Sequence, residues 1–256
     1  MSLDKWQAKF WLGAAAVLPI APLLAVQGQL TRWKVGVLPG AEGETTGIAG
    51  TGDGEPASLF VIGESTVAGL GARTHNEALA GRFAEQLSGR IGRPVRWSVV
   101  GKNGVTARQT IEELLPKMPD ENFDYIFVGL GGNDVMKLST PKKWRRDMTE
   151  LLSLIREKHP SVPIFLSNCP MIIMSPVIPQ PIKALLWELS KMHNENIIEF
   201  TRDMPGVYYY RQPALVRLDG FFADGIHPSE QGYADWSRAM MEFFDETYEW
   251  RNSHKP

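Results

Sequence analysis

From Ser58 onward the chain alternates between two hydrophobic periods, and this alternation limits its fold more than any other feature. The runs Ser58–Ile62, Val95–Val100, Asp124–Leu130, Ile164–Ser167 and Val207–Tyr210 are short and mostly apolar. Asp124–Leu130 is nearly continuous in apolar character, as expected of a strand covered on both faces. Between these runs the period changes. Asn76–Ile91 sets Leu79, Phe83, Leu87 and Ile91 at helical spacing, and Lys142–Lys158 does the same with Trp144, Met148, Leu151 or Leu152 and Ile155. Ala107–Leu115 reads as a helix stopped by Pro116, which lacks the N–H to continue it. Further helices are expected around Ile182–Phe200 and from Ser229 to about Tyr248. Strands alternating with helices predict an α/β fold: a three-layer α/β/α sandwich on a central, mostly parallel five-stranded sheet, flavodoxin-like in outline. With 256 residues, 43% of them hydrophobic, the chain can bury one substantial core.

In an open α/β sheet, ligands bind outside the carboxyl ends of the strands. The first strand runs into Gly63-Glu64-Ser65-Thr66, which sets Ser65 where a nucleophile would stand; Ser65 as a plain helix N-cap is the ordinary alternative. A serine hydroxyl needs a base within hydrogen-bond reach, and the base needs a third group to orient it. Asp224 and His227 supply both from one loop, Phe221 to Ser229, whose alternative is a solvated turn before the last helix. The third strand closes on Gly129-Leu130-Gly131-Gly132-Asn133-Asp134, either a glycine-rich turn with a capping Asn or Asp, or a source of polar donors.

Together these pieces resemble the SGNH, or GDSL-type, esterase and lipase hydrolase family. Its first block is matched by Gly63-Glu64-Ser65, its second by Gly104 within Gly101–Thr106, its third by Gly131-Gly132-Asn133-Asp134 and its fifth by Asp224 and His227. The matches keep the family's order from about residue 58 to the C-terminus. One departure is visible, because Glu64 stands where the family usually has Asp, which bears on local loop geometry. The resemblance implies Ser65 as nucleophile, His227 as base and Asp224 as its orienting carboxylate. It also implies an oxyanion hole built from the backbone N–H groups of Ser65 and Gly104 and the side-chain amide of Asn133. Donors in such a hole must aim at the charge that develops in the transition state. A glycine at position 104 lets backbone approach without a Cβ. This chemistry calls for no metal and no organic cofactor.

Competing chemistries fit less well. The nucleophile elbow Gly-x-Ser-x-Gly fails at Val67, and both Gly69-Leu70-Gly71 and Gly129-Leu130-Gly131 lack the last glycine of a dinucleotide fingerprint. His75, His159, His193 and His254 show no paired spacing for zinc and read as surface or satisfied histidines. A net charge of -2 gives no electrostatic case for nucleic acid. The lone Cys169 excludes an intramolecular disulfide and reads as a small buried hydrophobe. Lys142-Lys143 with Arg145-Arg146 reads as a solvated basic face, with contact to anionic lipid as the alternative.

The N-terminus is the second informative region. No charged residue occurs from Phe10 to Thr31, and Phe10–Val26 is almost wholly apolar, at the short end of the ~17–25 residues a spanning helix needs. Pro19 and Pro22 would kink it, which membranes tolerate better than water does. No convincing small-x-small cleavage site follows. Residues 1–36 are therefore expected as an apolar membrane anchor or signal-like segment, with a buried soluble helix as the alternative, and the side of the membrane is open because Lys5 and Lys9 are balanced by Arg32 and Lys34. Residues 37–57, rich in Gly, Thr and Glu, are expected as a linker or an extended segment laid on the domain, and residues 58–256 as the catalytic domain. The unusually apolar stretch Met171–Ile182 either lines an acyl pocket, rests on a bilayer or packs over the core. The expected partner is a small ester or lipid-like substrate, with short- to medium-chain acyl esters first. An acyltransferase, a carbohydrate or lysolipid deacylase on the same site, and a silent binding module are the alternatives.

Overall fold

The computed structural model describes residues 3–213 and 219–250, so His254 lies outside the described residues. In chain order the elements are α1 (Leu3–Val17), α2 (Ala21–Val35), β1 (Thr46–Ala49), β2 (Ala57–Gly63), α3 (Leu79–Ile91), β3 (Val95–Gly101), α4 (Ala107–Gln109), β4 (Tyr125–Gly129), α5 (Gly132–Met136), α6 (Pro141–Lys158), β5 (Ile164–Leu166), α7 (Ile182–Thr201), β6 (Val207–Tyr209) and α8 (Glu230–Asp245). The sheet order is β1-β3-β2-β4-β5-β6, parallel throughout except for β1, which pairs antiparallel with β3.

Successive residues of a strand point to opposite faces, and the two cores follow that period of two. Leu59 and Val61 of β2 join Phe83, Leu87, Trp97, Phe127, Phe165 and Phe244 beneath α3 and α8. Phe60 and Ile62 join Val128, Trp144, Met148, Leu151, Ile155 and Leu166 beneath α6. Both faces of the sheet are thus dry, which is why β2 and β4 are buried at every position.

The sheet has six strands rather than five. The extra one, β1, lies in the stretch expected as a linker or laid-on segment. Its sequence, Thr-Gly-Ile-Ala, gives no buried pattern, and Ile48 is 61% exposed. What it offers instead is Gly47: a Cβ there would sit 2.4 Å from the Trp97 ring, so only glycine lets the edge strand lie over that indole. The expected helix Ala107–Leu115 is also different. One α-helical turn gives way to a π turn over Thr110–Leu114 and a 3₁₀ turn over Leu115–Lys117, so the ladder is already broken where Pro116 removes a donor.

The N-terminal segment folds as α1 and α2 joined by a 3₁₀ turn, Leu18–Ile20, with Pro19 and Pro22 placed in the first turns of their elements, where a missing N–H costs least. The combined helix, Leu3–Val35, is long and apolar enough by length and composition to cross a membrane, and its most apolar stretch is not buried in protein. Polar contacts tie it to the domain: Asp4 pairs with Lys142 at 2.8 Å, Lys9 with Glu188 at 3.3 Å, and Gln27 donates to the Gln180 carbonyl at 2.8 Å. The basic run on α6 is likewise committed to carboxylates. Lys143 and Arg146 meet the fully buried Asp147 at 2.9 and 2.8 Å, and Arg145 meets Glu199 at 3.2 Å. Burial alone would raise the Asp147 carboxyl, but Lys143, Arg108 and Arg146 together hold it below the usual carboxylate range. His75, His159 and His193 are all buried rather than on the surface.

Candidate active site

Ser65 follows the carboxyl end of β2. Gly63, the last residue of that strand, permits a close approach to β4, since a Cβ there would lie 2.0 Å from the Gly129 carbonyl oxygen. The chain then winds tightly: Val67 and Ala68 donate to the Glu64 carbonyl at 2.9 Å, and Leu70 to that of Ser65 at 3.1 Å. Three contacts bring this loop against the C-terminal one. Tyr233 of α8 donates its hydroxyl to the Leu70 carbonyl at 2.7 Å, and Arg73 pairs with Glu230 at 2.8 Å. Gly71, at φ +93°, leaves no room for a Cβ, which would stand 2.1 Å from the Pro228 carbonyl.

Those ties set Ser65 and His227 on the wall of one cavity. His227 holds its Nδ1 at 2.8 Å from Asp224 Oδ2, while Asp224 Oδ1 accepts the backbone N–H groups of His227 and Ile226 at 2.7 and 2.8 Å. Burial would raise the Asp224 carboxyl, yet these bonds keep it below the usual range, so it stays ionised. An ionised acceptor facing Nδ1 receives the hydrogen bond of the Nδ1–H group, which holds the proton on that nitrogen and leaves Nε2 with its free lone pair. The loop itself is closed by Ala223 donating to the His227 carbonyl at 2.9 Å, and Ser229 caps α8.

Asn133 also borders the cavity, in the first turn of the short α5. Its partner was not foreseen from the sequence. The Glu64 carboxylate accepts the backbone N–H groups of Gly132 at 2.7 Å and Asn133 at 2.8 Å, and the Asn133 side-chain amide nitrogen as well. An oxygen acceptor facing the amide nitrogen fixes which end of the Asn133 amide is turned to Glu64. Burial pushes the Glu64 carboxyl up to about 7, against the pull of its three donors. The departure at the first block thus has a physical role: the side chain next to Ser65 clamps the turn carrying Asn133. The signal in the sequence was the carboxylate beside the serine, but a contact spanning 68 residues cannot be read from spacing alone.

Gly104 lies in the loop after β3 with φ +82°, and a Cβ there would meet open space, so the turn's left-handed backbone rather than crowding selects glycine. Of that loop, Asn103 is the residue that borders the cavity. The Gly104 carbonyl accepts Lys137 Nζ at 2.7 Å, and Asp134, fully buried, accepts the Ala107 N–H and the Ser139 hydroxyl at 2.8 Å each. Burial raises the Asp134 carboxyl above its ordinary value. The second-block loop and the Gly-x-Asn-Asp turn are therefore bolted to each other. Cys169 is fully buried, with its thiol pushed up to about 12, and is inert as a nucleophile. Among the described residues no three His, Cys, Asp or Glu side chains converge to hold a metal ion.

A parallel sheet whose strand ends carry a serine and a Gly-x-Asn-Asp turn, faced by a carboxylate-bound histidine, defines the SGNH class of hydrolases. The model of the GDSL-like Lipase/Acylhydrolase family matches residues 61–234, more than half of the sequence, and the chain belongs to that family. No curated protein matches it. Among solved structures it is similar to the lipase Lip_vut3 from a goat rumen metagenome, with 17% identity and a TM-score of 0.58, covering 77% of this chain and 100% of that one. It is similar also to a family two carbohydrate esterase from Clostridium thermocellum, at 14% identity and TM-score 0.56, covering 75% and 65%. A third is the salicylyl-acyltransferase SsfX3 from a tetracycline biosynthetic pathway, at 15% identity and TM-score 0.53, covering 76% and 55%. The chain thus spans less than two thirds of the last two, and at these identities the likeness is one of fold.

Proposed function

We propose that the protein is a membrane-associated serine esterase acting through Ser65, His227 and Asp224. His227 Nε2 takes the Ser65 proton as the serine oxygen attacks an ester carbonyl. The tetrahedral oxyanion is held by the N–H groups of Ser65 and Gly104 and by the Asn133 side-chain amide. His227 then gives its proton to the departing alcohol, and water, activated by the same nitrogen, releases the acid. Asp224 stays ionised throughout and stabilises the imidazolium. The observation that carries this reading is the Asp224–His227 pair at 2.8 Å in a loop whose histidine shares a cavity wall with Ser65. Carboxylic esters are the substrate class, as in the lipases and esterases of the family. Transfer of the acyl group to an alcohol uses the same steps with a different acceptor, and the fold likeness to an acyltransferase is the reason to test it. Hydrolysis of nitrophenyl acyl esters by the purified full chain, with and without added alcohols, decides between them. Acid release that no alcohol diverts supports the hydrolase. Ester product exceeding acid moves the assignment to acyl transfer.

Membrane association rests on the N-terminal helices. Phe10–Val26 lies within the Leu3–Val35 helix, which exposes Leu12, Leu18, Leu23, Leu30 and Trp33. Large apolar side chains left in water over such a length mark a membrane or partner surface.

A further inference from the structure

The cavity that holds Ser65 and His227 does not end at the catalytic loops. It has a volume of about 1540 Å³ and continues beneath the N-terminal helices, where Phe10, Ala14, Val17, Ala21, Leu24 and Gly28 line it at a spacing of three or four residues. Such a spacing keeps one face of a helix turned to one side. The facing wall has an apolar part: Ile172, Ile178, Leu186 and Leu189, from the Met171–Ile182 stretch and α7, border the same space. Small-molecule pockets usually run to ~300–1,000 Å³, so this one is oversized for a short acyl ester. An acetyl group at Ser65 would leave nearly all of it empty. The opposite face of the helices carries Leu12, Leu23, Leu30 and Trp33, 51% to 85% exposed. The helices are therefore apolar on both sides, toward the cavity and away from it.

We infer that α1 and α2 are the outer wall of the acyl site, and that its occupant is the chain of a long-chain ester drawn from the bilayer on which the outward face rests. This deepens the esterase reading and rests on Ser65 being the nucleophile. The acyl chain runs from Ser65 between the N-terminal helices and α7. The small residues of the inner face, Gly13, Ala14, Ala21, Ala25 and Gly28, keep that passage open. Gly13 is the place to close it, since a Cβ there meets nothing within 4 Å; at Gly28 the nearest atom is Ile182 Cδ1 at 3.7 Å. A short segment expected only to tether the enzyme thus becomes a determinant of chain length.

The test uses the full chain in phosphatidylcholine vesicles and a hexadecyl fluorophosphonate with a diazirine at the chain terminus. Ser65 Oγ displaces fluoride at phosphorus, and irradiation then bonds the chain end to whatever surrounds it. The inference predicts crosslinks in peptides spanning residues 10–28, and a G13W variant that lowers the hexadecanoate-to-acetate ratio of kcat/KM by about tenfold or more, because each methylene kept from burial costs about fourfold. A G28L variant makes the same comparison if G13W does not fold. Crosslinks confined to other segments, or a wild-type chain that prefers acetate, would overturn the acyl-wall assignment while leaving the esterase intact. Failure of any fluorophosphonate to label Ser65 would instead remove the esterase reading itself.

Discussion

Glu64, next to Ser65, ties the loop after β2 to the turn that carries Asn133 through the backbone N–H groups of Gly132 and Asn133. As one member of a short motif it reads as a departure from the family pattern. In the fold it is a buried carboxylate gripping the turn that presents Asn133. Its carboxyl, at 4.5 in its ordinary state, is pushed up to about 7. Between about pH 4.5 and 7 the folded chain therefore keeps a proton that the unfolded chain has released. The stability this adds is complete below pH 4.5 and is lost as the pH rises through 7, by about 3 kcal/mol at most. Glu64→Gln cannot titrate, so denaturant melts should show a wild-type advantage that is larger at pH 4.5 than at pH 7.5. An advantage independent of pH would mean that Glu64 does not titrate in this window. Asn133 makes the kinetic counterpart. As an oxyanion donor, its replacement by alanine should lower kcat ~10²–10³-fold with little change in KM. A rise in KM alone would reassign Asn133 to ground-state binding.

At the scale of elements, the pieces legible in the sequence were those with a strong hydrophobic period. β2 to β6, α3, α6, α7 and α8 all fall where the pattern set them, because buried strands and amphipathic helices carry their burial in their own residues. β1 was illegible for the opposite reason: its stability comes from backbone pairing with β3 and from Trp97 beneath Gly47, neither of which marks the local sequence. The π turn over Thr110–Leu114 likewise has no mark in the hydrophobic period of its residues. The N-terminal helices were legible in length and apolar character, but the cavity under them was not. Their outward face predicts that the full chain stays with membranes through a carbonate wash. A chain beginning at residue 40 should be soluble and hydrolyse short esters. A full-length protein that remains soluble without detergent would contradict the membrane reading.

The whole molecule is a mostly parallel sheet, flanked by helices, that gathers distant loops on one edge. Ser65, Asn133 and His227 come from three parts of the chain, and all three border one cavity. What sequence could not convey was the bracing between those loops: Tyr233 to Leu70, Arg73 to Glu230, Ser175 to Gly225, and Asp134 to Ala107. Each spans from about thirty to more than 160 residues. The account depends most on Ser65 being the nucleophile that this bracing serves. A small fluorophosphonate, followed by peptide mapping and paired with turnover by Ser65→Ala, tests it most directly. The account predicts one labelled serine, Ser65, and a folded variant without measurable esterase activity. Labelling of another serine, or full turnover by the variant, would contradict it.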